Sequence, residues 1–250
     1  MTAGAALPPI RAVSFDAGGT LLEVAEPVGA TYARLARAEG FDVSAAALEA
    51  GFRRAFAAAP PLAAPAASGA RLAEFERGWW RAVVDASLAH ALDGAAGDPA
   101  ARARFFAAAF AHYARPDAWR LFAESRRVLA RPAQRGFTLA VISNFDRRLH
   151  AVLAGLDLAD AFAATVASSE AGAAKPDPRI FAVARRRLGD PPPAQLLHVG
   201  DSLAEDVAGA RAAGWHGVWL DRSGAGGAPA GVTRIGSLDE LADLLQSSVA

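Results

Sequence analysis

Asp16 follows the apolar run Ala12-Val13-Ser14-Phe15 and opens the short loop Ala17-Gly18-Gly19-Thr20. Three more stretches bring reactive groups into similar settings. Ser143-Asn144 follows Leu139-Ala140-Val141-Ile142, Lys175 stands ahead of Pro176-Asp177-Pro178, and Gly200-Asp201-Ser202 follows Leu196-Leu197-His198-Val199, with Asp206 about one helical turn later. By type these are one carboxylate placed to attack, a hydroxyl and an ammonium placed to hold an anion, and two carboxylates suited to a hard cation. Lys175 is the only lysine among 26 basic residues, the rest being arginine. One compact point charge therefore stands out against planar guanidinium forks.

In an open parallel sheet, ligands sit outside the carboxyl ends of the strands. The apolar runs must then be neighbouring parallel strands, joined by Ala164-Thr165-Val166 and Val218-Trp219-Leu220. Beyond about Trp119 these runs alternate with helical patterns, which implies right-handed crossovers and an α/β sheet covered on both faces. Between the first strand and the rest, Val28 to about Tyr113 has helical periodicity. Val28, Tyr32 and Leu35 share a face, as do Leu48, Phe52 and Phe56, and Leu72, Phe75, Trp79 and Val83. Asp98-Pro99 has the start chemistry of a helix carrying Phe105, Phe106, Phe110 and Tyr113. The chain thus divides into an α/β core of residues 1–23 and 116–250 and an inserted all-helical cap of residues 24–115.

Within this scheme Pro60–Gly69 and the Gly-rich Ser223–Gly231 read as loops, and Pro132 should kink or shorten the helix before Leu139. Trp79, Trp80 and the phenylalanines at helical spacing read as cap interior. His198, inside an apolar strand, reads as a satisfied core histidine rather than a ligand. Asp146 reads as the capping residue of the helix through Leu149 and Val152, and Asp177 as a turn residue between its two prolines.

Composition excludes several classes. With 250 residues and 53% hydrophobic side chains a sizeable core is possible, although much of that fraction is alanine. Twenty-six acidic residues balance 26 basic ones, so no electrostatic footprint for nucleic acid or an anionic membrane is present. Cys 0 removes disulfides, thiolate metal sites and cysteine nucleophiles. Met1–Ile10 lacks the pattern of a secretion signal, and no apolar stretch is long enough to span a bilayer. The expected location is the cytoplasm; oligomeric state is not readable.

The constellation resembles the haloacid dehalogenase superfamily, whose four motifs fall in this order at the ends of such strands. The likeness covers nearly the whole chain, and the helical segment between the first two motifs resembles subfamily IA. The strings Ile142 to Leu149, Lys175 to Phe181 and Val199-Gly200-Asp201 are similar to one branch of it, haloacid dehalogenase-like hydrolase domain-containing protein three. The resemblance implies a Rossmann-like core and a phosphatase-type hydrolase acting on a small phosphorylated molecule. Asp16 would be the nucleophile, forming an aspartyl phosphate. Ser143 would bond a phosphoryl oxygen, helped by backbone amides of Gly18, Gly19, Thr20 and Asn144, and Lys175 would neutralise charge between nucleophile and phosphoryl group. Asp16, Asp201, Asp206 and the Gly18 carbonyl would hold Mg²⁺, a hard ion that prefers oxygen ligands.

One position departs from the family pattern. Phosphatases of this superfamily carry a second aspartate two residues after the nucleophile as general acid and base, and here that residue is Gly18. General acid or base catalysis is worth about 10² to 10⁴ in rate, so a slow enzyme is expected unless Glu23 or a cap residue such as Tyr32 substitutes. The alternatives are a pseudoenzyme binding a phosphorylated ligand or a protein partner, and a metal-free 2-haloacid dehalogenase. The latter does not resemble the Gly-Asp motif with its second carboxylate at Asp206. A Schiff-base hydrolase is excluded because no lysine lies in the cap.

Overall fold

The first apolar run forms β1 (Ala12–Phe15) with all four residues buried, as a parallel strand covered on both faces requires. The chain then adds β2 (Leu22–Val24) and four helices, α1 (Val28–Ala38), α2 (Ala45–Ala58), α3 (Gly69–Ala91) and α4 (Pro99–His112), before returning through β3 (Trp119–Leu121). The remainder alternates: α5 (Ser125–Gln134), β4 (Thr138–Ser143), α6 (Arg148–Gly155), β5 (Ala164–Ala167), α7 (Ser168–Ala171), α8 (Pro178–Arg187), β6 (Leu196–Gly200), α9 (Ala208–Ala212), β7 (His216–Leu220), β8 (Thr233–Ile235) and α10 (Leu241–Gln246). This computed structural model describes residues 9–246 except 96, 135, 225 and 226. Most of Met1–Ile10, expected to hold no secretion signal, and two residues of the Gly-rich run lie outside the described residues; the described part of that run is exposed from Ser223 onward.

Among the described residues, six strands make one parallel sheet in the order β5-β4-β1-β6-β7-β8. β1 is central, with Phe15 level with Val141 of β4 on one side and Val199 of β6 on the other. From β1 the order runs outward in two directions, so a crevice opens at the carboxyl ends of β1, β4 and β6. Adjacent residues of β1 go to opposite faces: Val13 and Phe15 join a cluster with Leu139, Val141 and Leu197, while Ala12 joins Ile142, Val166, Phe181 and Trp215. Each large apolar side chain buried in this way contributes about 1.5–3 kcal/mol.

The helical block has a core of its own. Tyr32, Leu48, Leu88, Phe105 and Phe106 pack together, and Tyr32 meets Phe105 edge-on at 5.5 Å between ring centroids. Two of its helices, α2 and α4, start where a side chain receives the first free N–H groups. Ser44 accepts from Ala47 N at 3.1 Å, and Asp98 accepts from Ala100 N and Ala101 N, both at 3.1 Å, with Pro99 in the first turn.

Some elements escape the periodicity. β2 and β3 pair antiparallel, Glu23 opposite Arg120, where the chain leaves the core for the helical block and comes back. Like β8, each has three residues, too few to show alternation. The helix containing Pro132 runs through it and ends at Gln134, two residues on. Asp177 is a helix cap rather than only a turn residue: it accepts from Arg179 N at 2.9 Å, with Pro178 in the first turn of α8. Among the described residues no helix is long and apolar enough to cross a membrane.

Candidate active site at the carboxyl ends of the central strands

The loop after β1 is wound tightly enough to carry Asp16 over the sheet edge. Asp16 N donates to Val199 O at 2.9 Å, fixing it beside β6, and Leu21 N and Leu22 N both return to Ala17 O, at 2.9 and 3.0 Å. Gly19 has φ +80° and passes so close to Asp201 that a Cβ would stand 2.5 Å from its Oδ2, so this position requires glycine. Gly18 is different, since a Cβ there would meet nothing within 4 Å.

β4 ends in buried Ser143, and the next residue works through its side chain. Asn144 Oδ1 accepts from Lys175 N at 2.7 Å while Asn144 Nδ2 donates to Lys175 O at 3.0 Å. This reciprocal clamp holds the segment bearing Lys175, a role the expected backbone amide of Asn144 did not foretell. Asn144 Nδ2 also reaches Glu205 Oε2 at 3.1 Å.

The fourth element contains a π turn, Leu203–Val207, in which Val207 N reaches back five residues to Ser202 O at 3.2 Å. Ser202 caps it, accepting from Glu205 N at 3.1 Å, and Ser202 N donates to Asp206 Oδ2 at 2.9 Å. The turn presses Asp206 against β6, where a Cβ on Gly200 would lie 2.1 Å from Asp206 Cγ. Such single π turns are frequent at functional sites.

These elements converge on one cluster. Lys175 Nζ donates to Asp16 Oδ1 at 2.6 Å and to Asp206 Oδ1 at 2.5 Å. Carboxylate oxygens of Asp16, Asp201 and Asp206 all lie within 4.8 Å of one another. Burial alone would depress the lysine, but Asp16 and Asp206 push it above its ordinary range, so it stays an ammonium. Burial raises Asp16, with Asp206 and Asp201 adding to the rise against the pull of Lys175. Asp206 goes the other way: burial opposes ionisation, yet Lys175 and the His198 bond hold it well below the usual carboxylate range. Asp201 is raised by burial and by Asp206. Three carboxylates facing one ammonium leave excess negative charge on hard oxygen donors, and this donor set fits a divalent cation.

His198 is fully buried, with Nδ1 2.8 Å from Ser14 Oγ and Nε2 3.0 Å from Asp206 Oδ1. Burial lowers its pKa, and the neutral ring donates through Nε2–H to the acceptor-only carboxylate. It is the satisfied core histidine expected, and one of its partners belongs to the cluster.

Above the cluster lies a cavity of about 660 Å³, lined by Asp16, Gly18, Ser143, Asn144, Lys175 and Asp201 among others on the sheet side, and by aromatic side chains of the helical block on the other. Tyr32 lines it, its hydroxyl kept protonated by burial. Glu23 does not; it pairs at the surface with Arg120 at 2.9 Å, which removes it as a proton donor at the site. Sequence reasoning missed Glu205, raised by burial at the cavity wall, and Arg148. Arg148 is held by Asp146, with Nη2 to Oδ2 at 2.6 Å, and lies 4.1 Å from the Phe110 ring centroid. Asp146 accepts from Arg148 N at 2.8 Å at the start of α6, and its Oδ2 also accepts from Trp80 Nε1 of the helical block at 2.5 Å. An Arg two residues after an Asp at a helix start was the available signal.

A family model described as haloacid dehalogenase-like hydrolase matches residues 10–214. Among curated proteins, haloacid dehalogenase-like hydrolase domain-containing protein 3 of Homo sapiens is 38% identical over 209 residues, covering 83% of this chain and 80% of that protein. Phosphoserine phosphatase of Thermus thermophilus is 40% identical over 133 residues, 53% of this chain and 52% of that one. Among solved structures, an L-2-haloacid dehalogenase from Xanthobacter autotrophicus aligns with a TM-score of 0.70 at 22% identity, over 96% of this chain and 100% of that one. A phosphatase of the same superfamily from Thermococcus onnurineus aligns with a TM-score of 0.67 at 23% identity, over 96% and 100%. At those identities the two structures speak for the fold, while the family match and the human relative, both spanning most of the chain, decide its membership. The chain belongs to the haloacid dehalogenase-like hydrolases.

Proposed function

We propose that this hydrolase cleaves monoesters of phosphoric acid through a covalent intermediate on Asp16. The observation that carries the reading is the cluster of Asp16, Asp201 and Asp206 around Lys175 at the foot of the cavity. Lys175 engages Oδ1 of Asp16 and so orients the carboxylate, whose other oxygen attacks phosphorus; the ester P–O bond breaks and the alcohol oxygen leaves with the bonding electrons. Water then attacks the aspartyl phosphate, the bond to Asp16 breaks, and inorganic phosphate and the free carboxylate result. Ser143 and the amides of Gly18 and Asn144 hold the phosphoryl oxygens, and Lys175 offsets their charge; the amides of Gly19 and Thr20, also expected there, instead donate within the loop to Leu22 O at 2.8 Å and Ala17 O at 3.3 Å. Asp16, Asp201, Asp206 and the Gly18 carbonyl would hold Mg²⁺, which when bound supplies positive charge to the phosphoryl group. Residues 24–115 act as the cap over this chemistry, and the partner is a small phosphorylated molecule in the cytoplasm.

Gly18 offers no proton to the leaving oxygen, so turnover is slow and falls as that oxygen becomes more basic. Aryl phosphates of graded acidity, assayed with and without EDTA, test the reading; a rate indifferent to both metal and leaving group overturns it. Gly18 also favours a second reading, displacement of halide from a 2-haloacid, because halide leaves without a proton. Halide release in EDTA would establish it. A third, a binding protein that turns nothing over, requires that no phosphoryl group can be trapped on Asp16 across a panel of phosphorylated metabolites with Mg²⁺.

A further inference from the structure

We infer that the group esterified to the phosphate is uncharged and aromatic, an aryl or arylalkyl moiety seated against the helical block; this rests on the phosphatase reading. Opposite the Asp16 cluster the cavity wall is built from Tyr32, Phe52, Phe56, Trp79, Trp80 and Phe110. Phe56 packs on Phe52 at 5.5 Å, Trp79 at 5.9 Å and Trp80 at 6.1 Å between centroids, so the rings form one continuous surface. Among the described residues Phe56 is the large hydrophobic side chain left exposed, 45% of it open to solvent, and it stands at this wall. Exposed aromatic surface lining a cavity is characteristic of a site for apolar ligands.

The indole N–H groups of the wall are already used. Trp79 Nε1 donates to Pro60 O at 2.8 Å and Trp80 Nε1 to Asp146 Oδ2 at 2.5 Å, so both indoles offer ring surface rather than hydrogen bonds. Arg148, the cation on this side, is bound by the Asp146 carboxylate and by Phe110 O at 3.0 Å. It does not offer a free fork to a second phosphate or a carboxylate on the substrate. It also lies over the Trp80 ring at 5.1 Å and the Phe110 ring at 4.1 Å, where a cationic leaving group such as choline would otherwise stack. A neutral ring is what this chamber accommodates.

The test separates binding from turnover. Benzylphosphonate, whose C–P bond resists hydrolysis, is titrated into the natural chain with Mg²⁺ beside methylphosphonate, phosphonoacetate and phosphocholine, following tryptophan fluorescence and heat. Benzylphosphonate is expected to bind at least about tenfold more tightly than methylphosphonate, the scale of burying part of one ring. Phe56→Ala, an exposed position, should cut that advantage at least about threefold and leave methylphosphonate unchanged. Equal binding of the two, or tighter binding of phosphonoacetate or phosphocholine, overturns the inference. Benzyl phosphate and ethyl phosphate, both esters of primary alcohols, are then compared for kcat/KM, with benzyl phosphate expected to lead about tenfold. A binding preference without turnover of any ester overturns the phosphatase reading and leaves the chamber assignment standing. Turnover of ethyl phosphate or phosphoserine as efficient as that of benzyl phosphate does the reverse, and no binding of any phosphonate overturns both.

Discussion

Asp206 accepts the Lys175 ammonium at 2.5 Å through the same oxygen, Oδ1, that His198 Nε2 reaches at 3.0 Å. The pair is buried, and Lys175 also holds Asp16. Without the lysine, Asp16, Asp201 and Asp206 would face one another with no cation between them. Lys175→Met should cost about 3–5 kcal/mol, the usual result of breaking a buried pair. Urea denaturation measures it, and Mg²⁺ should restore part of the loss; a variant as stable as the natural chain would show that the three carboxylates do not repel.

Magnesium itself should stabilise the folded chain. At about 100 times its Kd a ligand that binds only the native state adds about 2.7 kcal/mol. Thermal unfolding with and without Mg²⁺ reads this directly. Asp201→Asn should remove most of the increment, and an increment that survives the substitution would place the ion elsewhere.

Gly18→Asp should fold normally, because nothing lies within 4 Å of a Cβ there. If an acid is what the loop lacks, the variant should raise kcat for ethyl phosphate about 10²-fold and flatten the dependence on leaving-group acidity. A folded variant with unchanged or lower turnover counts against a missing acid.

Gly200→Ala should displace Asp206 and disable the site. Its Cβ would lie 2.1 Å from Asp206 Cγ and 2.6 Å from Asp206 Cβ, contacts relieved only by moving the turn that carries Asp206 or the strand. Activity is expected to fall at least about 10²-fold, with Mg²⁺ binding weakened in parallel, as for a misplaced catalytic group. Calorimetric Mg²⁺ titration checks the second part.

His198 should impose a pH dependence on stability. Burial lowers its pKa from 6.5, so below about pH 6.5 the unfolded chain takes up a proton that the folded chain refuses. Stability therefore falls with falling pH, by up to about 1.4 kcal/mol per pH unit from this group, and is unaffected by it above that range. Denaturant curves from pH 7 to 5 should show this slope in the natural chain relative to His198→Gln. Parallel curves would mean that folding does not shift the His198 pKa.

The strands carrying the reactive residues were legible because buried parallel strands are continuous apolar runs, and β1, β4 and β6 end where those runs end. The short pairs were not: β2 with β3 exists because two distant segments meet, Leu22 opposite Leu121. Glu23 looked available as a proton donor until its partner across that ribbon proved to be Arg120. Asp146 was readable as a helix start, but its bond to Trp80 joins the helical block to the core and has no local signature. The ion pair of Glu76 with Arg147, at 2.8 Å, spans the same junction and is equally silent in the sequence.

The sequence by itself determined the chain order of the chemistry: which residue types follow which apolar runs, one lysine in the whole chain, and a glycine two residues after Asp16. Those are properties of local composition and period, which survive in a one-dimensional reading. Only the tertiary structure decided that Lys175 bridges Asp16 and Asp206, that Asn144 clamps the lysine's backbone, and that the opposite wall is aromatic with its indole N–H groups engaged. Such facts are distances between residues far apart in the chain, and only packing sets them.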